Sequence, residues 1–562
     1  MDDENESSSD EYLPSEESDD SEASSSQDDT VIDEEALDDE ESLDETDNEY
    51  DDNISASDWG PVHSKPRSFP FTGKEQLSLD ASTLTSPIDW YDLFFTNEIV
   101  DHIVAETNRY AQQKIGSSHV TRRSRLKSWK VTTHDEIRKL IGLMIYMGIV
   151  TLPEVSLYWS KKKIYVGSFA SRVMSRERFE LLMRFLHLND NTYEEASTDS
   201  LFKIRPFIDA ITDRFQTVYK PGSELVIDES MVPFRGRVKI RQYVPGKAHK
   251  YGLKLYKVCT PEAYTWNFEV HTGEKKYIQG LNHTEALTVT LFEKLLNQGA
   301  TIFSDNFYSS VVLAEYLLKE KTYLCGTIRK NRKRIPNDVK NAKLQRKEMK
   351  ALENEKGVKV FNWRDKRYVL TISSVPEHGA VLCPSGKKDR KGEEILKPES
   401  VLAYNKVKKG VDVSDQMTSY YTALRKTRKW YRKLFVELLT GEAVVNAFVL
   451  CKKYGNQNNL SLLEFRECLV YSLTGEEKNT PKPGKEATTI AGKRSCHALC
   501  EADGPKSKTR KRCRGCYEKI SLNEGCKIAR QQARRVSTFC PQCEGNPHLC
   551  VTCFAEKHAE GN

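Results

Sequence analysis

Two stretches decide the fold: Leu225-Val-Ile-Asp228 and, 77 residues further on, Thr301-Ile-Phe-Ser-Asp305. Each is a short apolar run, rich in branched or aromatic residues, that ends in an aspartate, as a buried strand does where its chain emerges from a sheet. Between them Tyr251–Val258 and Thr265–Val270 alternate like strands, and Glu285–Leu296 repeats its apolar residues at helical spacing. A helix over Val311–Leu318 and a strand over Tyr323–Ile328 follow the second run.

The order β-β-β-α-β-α-β predicts an α/β domain of RNase H-like type, its first part at residues 223–329. Working outward, Trp90, Leu93, Phe94, Ile99, Ile103 and Val104 recur at three- and four-residue spacing, and the period returns in Ile137–Ile149 and Phe179–Leu188. Residues 85–222 are therefore predicted to be mainly helical. On the other side, residues 330–401 are rich in Lys, Arg and Asn, with a strand-like Tyr368-Val-Leu-Thr-Ile372 and a polar loop at Lys387–Glu394. They read as a β-rich insertion. Residues 402–420 return to the α/β domain, and 421–479, with the long one-sided helix Trp430–Leu450, form the second part of the helical domain and should pack on the first. Thr480-Pro-Lys-Pro-Gly-Lys485 marks a linker over 480–495, and a cysteine-rich domain occupies 496–562.

The 562 residues carry 85 Lys and Arg against 82 Asp and Glu, but that balance conceals a division. Residues 1–58 hold 27 acids and no Lys or Arg, so the rest has 55 acids against 85 bases, a net of +30. A body that basic suits polyanions, nucleic acid above all. Residues 1–84 are predicted to be a disordered acidic tail, too poor in apolar groups to offset the entropy of ordering. Ser15-Glu-Glu-Ser18-Asp-Asp-Ser21-Glu sets hydroxyls ahead of acids, a context for an acidophilic kinase. Its plain role is solubility; its sharper one is competition with DNA for the basic body. No apolar run approaches the roughly 18 residues that span a bilayer, and the acidic start lacks the basic region of a signal peptide. Neither a secreted nor a membrane protein is expected.

The carboxylates of interest are Asp228, Asp305, Asp412 and Asp415, each where a strand ends or a helix begins. Gathered carboxylates repel unless a divalent cation neutralises them, and oxygen-only ligands suit Mg²⁺. Two such ions about 3.5 to 4 Å apart activate the attacking oxygen of a phosphodiester exchange and stabilise the leaving one. Taken singly, a strand-end Asp is more often a turn or cap residue. Asp412 and Asp415 share one helix face, which the helix dipole alone would favour.

The surroundings of these acids add more. Ile227-Asp-Glu-Ser-Met-Val-Pro-Phe-Arg-Gly-Arg237, Ser304-Asp-Asn-Phe-Tyr-Ser-Ser310 and Asn405-Lys-Val-Lys-Lys-Gly-Val-Asp-Val-Ser-Asp-Gln-Met417, in this order, resemble the piggyBac family of DDE/D transposases. So do Trp90-Tyr-Asp-Leu-Phe-Phe-Thr-Asn, Glu106-Thr-Asn-Arg-Tyr-Ala111 and Lys429-Trp-Tyr-Arg-Lys-Leu-Phe435, and the resemblance covers roughly residues 85–558. It implies a nuclear homodimer whose split helical domain serves dimerisation and DNA binding. It further implies cut-and-paste transposition: binding of terminal inverted repeats, nicking by water, hairpin formation at each end, and joining to TTAA. By the same resemblance Asp228, Asp305 and Asp412 would hold two Mg²⁺ or Mn²⁺ ions, with Asp415 a fourth catalytic acid beside them. Arg235, Arg237 and Lys408 are candidate DNA-phosphate contacts, or simply solvated surface, and Trp430 either stacks on an unpaired base or packs in the core.

Cys513-Arg-Gly-Cys516, Cys540-Pro-Gln-Cys543 and Cys550-Val-Thr-Cys553 place three C-x2-C pairs within 41 residues. That spacing is a strong signal for structural zinc. Two tetrahedral sites need eight ligands, and His497 and His558 complete the set, with Cys496, Cys500, Cys526 and His548 as spare candidates. Family members similarly end in a cross-brace finger with two zinc ions. From Lys482 to Arg535 there are 15 Lys or Arg against 5 Asp or Glu, including Lys506-Ser-Lys-Thr-Arg-Lys-Arg512, suited to nuclear import or to a DNA backbone.

Three functions compete on these grounds. An active transposase accounts for the four acids. A domesticated nuclear DNA-binding protein would keep the fold without mobilising anything. A RING-type ubiquitin ligase or histone-tail reader accounts for the tail alone.

Overall fold

In a computed structural model of the chain, residues 58–559 are described apart from 118–123, 163, 166–168, 193–197, 246–248, 389–391, 456–458, 477–498, 503, 505–508 and 542. Residues 1–57 of the acidic tail predicted over 1–84, the 480–495 linker, Cys496 and His497 therefore lie outside the described residues, whereas 58–84 are ordered instead of disordered as expected, Trp59 and Gly60 pairing with Asn354 and Glu353. The chain divides into two units, Met1–Lys478 and Asn479–Asn562.

One mixed sheet of ten strands organises the first unit. In chain order its strands are β1 (Trp59–Gly60), β2 (Glu224–Pro233), β3 (Arg241–Tyr243), β4 (Tyr251–Cys259), β5 (Thr265–Val270), β6 (Thr301–Ser304), β7 (Tyr323–Thr327), β8 (Met349–Asn354), β9 (Lys359–Arg364) and β10 (Tyr368–Ser373). The spatial order is β1-β8-β9-β10-β7-β6-β2-β4-β3, with β5 also paired to β4. β2, β6 and β7 run parallel, whereas β2 and β4 are antiparallel. This is the predicted α/β order with one short strand, β3, added in the turn after β2.

The helices used below are α1 (Pro87–Asp92), α2 (Asn97–Ser117), α3 (His134–Ile149), α4 (Arg176–Phe185), α5 (Arg205–Val218), α6 (His283–Phe292), α7 (Val311–Lys319), α8 (Glu399–Val407), α9 (Gly410–Tyr420), α10 (Trp430–Tyr454) and α11 (Leu462–Thr474). Their starts follow local chemistry. Asn282 with Glu285 and Ser461 with Glu464 form capping boxes for α6 and α11, and Ser310 caps α7 through the Leu313 amide. The periodic run from Trp90 to Val104 is two helices rather than one, because the chain turns at Leu93–Thr96 to bury both Phe94 and Phe95.

The segment 330–401 does not stand apart from the sheet. β10 pairs antiparallel with β7 through Thr371↔Thr327, Ile372↔Gly326 and Ser373↔Cys325, so β8, β9 and β10 prolong the same sheet. The polar stretch near Lys387 forms part of a hairpin, Leu382–Lys388 against Glu394–Pro398. α10 returns to the first helices as expected: the Tyr91 hydroxyl donates to the Leu439 carbonyl at 3.2 Å. By length and composition α10 is apolar enough to cross a membrane, but it is almost wholly buried as the central helix of this core. Residues 437–442 widen it into a π turn.

In the second unit, Cys500–Glu501 pairs with Thr538–Phe539 and Lys511–Arg512 with Arg535–Val536. Helices at Arg514–Glu524, Cys526–Gln532 and Val551–Ala559 complete it.

Candidate active site and zinc centres

The parallel register Leu225↔Ile302, Val226↔Phe303, Ile227↔Ser304 brings the next residues side by side, Asp305 just past the end of β6 and Asp228 not at a strand end, as expected, but inside β2, which runs on to Pro233. Alternation then fixes their face. Leu225, Ile227 and Ile302 belong to the main core, whereas Val226, Phe303, Cys259, Cys325, Tyr404, Val407 and Val411 form a separate apolar cluster on the other side. Asp228 shares the face of Val226, and Asp305 that of Phe303. α8 and α9 cover this face.

Gly410 explains how closely α9 settles. A Cβ there would stand 2.5 Å from the Thr260 carbonyl oxygen and 2.7 Å from Val226 Cγ1, so only glycine permits the approach. Asp412, two residues on, is exposed in the first turn of the covering helix. The structure thus sets Asp228 beside Asp305 and lays Asp412 on the element above them. Asp415, one turn further along α9, has a partner of its own: its Oδ1 accepts a hydrogen bond from the buried Lys257 ammonium at 2.8 Å.

The backbone orients both acids. Asp228 Oδ1 accepts from the Glu229 amide at 2.7 Å, and Asp305 Oδ1 from the Phe307 amide at 2.9 Å. Burial, then the neighbouring Glu229 charge, push the Asp305 carboxyl up to about 6. Tyr308 and Tyr404 are buried next to the pair, and desolvation with these carboxylates nearby holds both hydroxyls well above their ordinary value. They are neutral phenols.

The proposed DNA contacts are dispersed. Arg235 and Arg237 are exposed in the turn after β2, where Arg241 Nη1 donates to the Arg235 carbonyl at 3.2 Å. Lys408 holds its ammonium 5.8 Å from the Tyr404 ring. Trp430, at the start of α10, is partly buried against the core. Beside it, burial followed by Arg432, Lys203, Lys114 and Arg184 pulls the Lys429 ammonium down to about 8.

In the tail two groups of metal-ligand residues have their atoms within 4.8 Å of one another: Cys513, Cys516, Cys550 and Cys553, and Cys540, Cys543 and His558. Among the described residues the acids of the sheet form no group so tight, as expected of like charges. The first and third C-x2-C pairs therefore share one centre and skip the second, as a cross-brace requires. Gly515 makes room, since a Cβ there would lie 2.7 Å from Cys553 Cβ. His558 Nδ1 donates to the Phe554 carbonyl at 2.7 Å, which leaves Nε2 facing the Cys543 sulfur at 3.1 Å. That fixes the tautomer a zinc ligand needs. Of the spare candidates, Cys526 and His548 fall outside both groups, while Cys500 pairs across strands with Phe539, next to Cys540. Thiolate and imidazole donors at this spacing suit zinc, and all thirteen described cysteines are free of disulfides.

A family model described as Transposase IS4 matches residues 86–448, from α1 through Asp228 and Asp305 and into α10. The chain belongs to the piggyBac transposase family. Human PiggyBac transposable element-derived protein 3 is 27% identical over 421 residues, covering 72% of this chain and 68% of the relative. Human PiggyBac transposable element-derived protein 2 is 26% identical over 418 residues. Among solved structures, a piggyBac transposase synaptic complex with hairpin DNA matches at a TM-score of 0.62 and 25% identity, over 86% of this chain and 100% of the other.

Around this piggyBac-type site, sequence reasoning missed Glu229, Tyr308, Tyr404 and Lys257. Glu229 and Tyr308 lie inside the quoted motifs, but their nearness to Asp305 comes from the β2–β6 register. Lys257 reads as an ordinary strand lysine; only a partly apolar run, Leu255-Tyr-Lys-Val-Cys259, hinted that it was buried.

Proposed function

We propose that this chain is a cut-and-paste DNA transposase that binds the inverted repeats at an element's ends, nicks them, releases the element through hairpins and joins it to TTAA. The observation that carries this reading is the register-fixed pairing of Asp228 with Asp305 under the helix that bears Asp412. The three carboxylates would hold Mg²⁺ or Mn²⁺, since the donor set is oxygen only. Bound there, the ions would neutralise the attacking and leaving phosphodiester oxygens.

The protein's own residues then position the DNA. Arg235, Arg237 and Lys408 flank the acids in the chain and supply phosphate contacts. The crowding of Lys114, Arg184, Lys203 and Lys429 around Tyr110 and Tyr431 marks a second surface that a DNA backbone would relieve. Trp430 at its edge, partly buried against the core, would stack its remaining face on an unpaired base. The tail carries two structural zinc ions, the second completed by Cys500 or His497, and its basic run reads terminal DNA. The protein works as a nuclear homodimer.

The test is incubation of the purified full chain and Mg²⁺ with end-labelled DNA bearing the element's terminus and a flanking TTAA, resolved on a denaturing gel. A nick followed by a hairpin, absent with Asp305→Asn, is expected. Tight binding without cutting by folded, zinc-loaded protein would favour a DNA-binding protein that has given up mobilisation, consistent with human relatives named as element-derived.

A further inference from the structure

Lys257 stands directly opposite Asp228 in the β2–β4 register and shares its face. Its side chain is 1% exposed, and all three donors of its ammonium are used: Asp415 Oδ1 at 2.8 Å, Glu442 Oε1 at 2.8 Å and Ser414 Oγ at 3.1 Å. Glu442 Oε2 in turn accepts from Thr265 Oγ1 at 2.9 Å and Ser414 Oγ at 3.3 Å. One buried cation therefore ties the strand beside Asp228, the helix α9 that carries Asp412, and the centre of α10.

The π turn at Glu437–Glu442 makes the third tie possible. In an α-helix, residues five apart point about 140° away from each other, whereas a π turn, with its i to i+5 hydrogen bonds, brings them to the same side. Glu437 and Glu442 thereby both face the cluster. Burial, with Glu442 and Asp415 close by, pushes the Glu437 carboxyl up to about 8. Local departures of this kind persist where surrounding structure requires them.

Buried ion pairs rarely add net stability, since apolar residues of like volume do as well; their best-attested use is to fix register. α9 has eleven residues and is seated by a glycine contact. It can neither rotate nor slide by one residue without withdrawing Ser414 and Asp415 from Lys257, which would leave two of the three buried ammonium donors without an acceptor.

We propose that Lys257 is a positioning residue that, through Ser414, Asp415 and Glu442, sets the register of α9 and so carries Asp412 to Asp228, and that Asp415 serves this lock instead of the metal set. The proposal rests on the reading of Asp228, Asp305 and Asp412 as a metal site.

The test uses the full chain with two readouts besides activity: Mn²⁺ affinity, from the paramagnetic resonance of free Mn²⁺, and amide hydrogen exchange of residues 410–420. The variant Lys257→Met/Glu442→Gln removes the lock without leaving a buried charge, because the Asp415 side chain is 34% exposed and can turn to water. It should melt close to the parent, bind Mn²⁺ at least about 10-fold more weakly, as outer-shell losses do, and exchange faster over 410–420. Parent-like affinity and exchange in the folded variant would overturn the proposal. Should that variant not fold, Asp415→Asn, which keeps an acceptor for Lys257, decides: a loss of Mn²⁺ affinity much smaller than that of Asp412→Asn supports the lock, and an equal loss makes Asp415 a ligand and overturns it. A parent that binds no Mn²⁺ would instead overturn the metal-site reading and this proposal with it, while parent-like exchange in the variant would overturn the lock alone.

Discussion

Asp228 and Asp305 stand side by side because Ile227 and Ser304, the residues before them, are paired in parallel register. Their proximity is built by the sheet, so it exists before any ion or DNA arrives. Asp228→Asn and Asp305→Asn should each lower DNA cleavage by more than about 100-fold while leaving the melting temperature at or above that of the metal-free parent, since each removes a repelling charge. Strand nicking and thermal unfolding, measured on the same preparations, check both halves.

Gly410 lets α9 approach Thr260 and Val226. Gly410→Val should destabilise the first unit by about 1–3 kcal/mol through overpacking and weaken Mn²⁺ binding by lifting Asp412 from the strand ends. Chemical denaturation with a parallel Mn²⁺ titration would show the two losses together.

Acidification should loosen the helical core at His187. This imidazole is 2% exposed, and burial, reinforced by Arg432, Lys429 and Lys203, lowers its pKa to about 4. The unfolded chain, with an imidazole near 6.5, takes up the proton first, so stability present above pH 6.5 is lost as pH falls towards 4. At pH 5 the loss from this group is about 2 kcal/mol. His187→Gln should flatten the dependence of unfolding free energy on pH between 7 and 5; a slope equal to the parent's would show that His187 is not the titrating group.

Metal analysis of the whole protein should find two zinc ions per chain, with one lost in Cys553→Ser and the other in Cys540→Ser. A strong chelator should then unfold the second unit only. Because the chain divides at Lys478 and Asn479, the transition of the first unit should keep its midpoint.

Deleting residues 1–58 removes 27 acids and no bases. If the arm competes with phosphates, affinity for terminal-repeat DNA should rise at low salt and the salt dependence should steepen. Fluorescence anisotropy at two salt concentrations measures this, and equal affinities at low salt would leave the arm a solubilising role only.

Much of this was legible beforehand, for identifiable reasons. Leu225–Asp228 and Thr301–Asp305 announced themselves because a buried parallel strand needs an unbroken apolar run, and an acid closing such a run stands out, although the strand that holds Asp228 runs on to Pro233. The C-x2-C pairs were equally plain, since spacing alone makes them ligands. Pairings between distant segments were not. Nothing local in Tyr368–Ile372 shows that it will pair with β7 and prolong the main sheet. Lys257 is buried only because Asp415 and Glu442 arrive from 158 and 185 residues away. Glu399–Val407 escaped notice as a helix because Pro398 and its charged surroundings resemble a loop, while the face it buries, Val401, Tyr404 and Val407, is short.

The central claim is that Asp228, Asp305 and Asp412 act on a phosphodiester through bound metal. Sulfur in place of a non-bridging oxygen at the scissile phosphate tests it most directly, because Mg²⁺ binds sulfur poorly and Mn²⁺ binds it better. The account expects cleavage of this DNA to fail in Mg²⁺ and return in Mn²⁺ with the parent, and to return in neither metal with Asp305→Asn. Cleavage that is indifferent to the metal, or that survives Asp305→Asn, would contradict it.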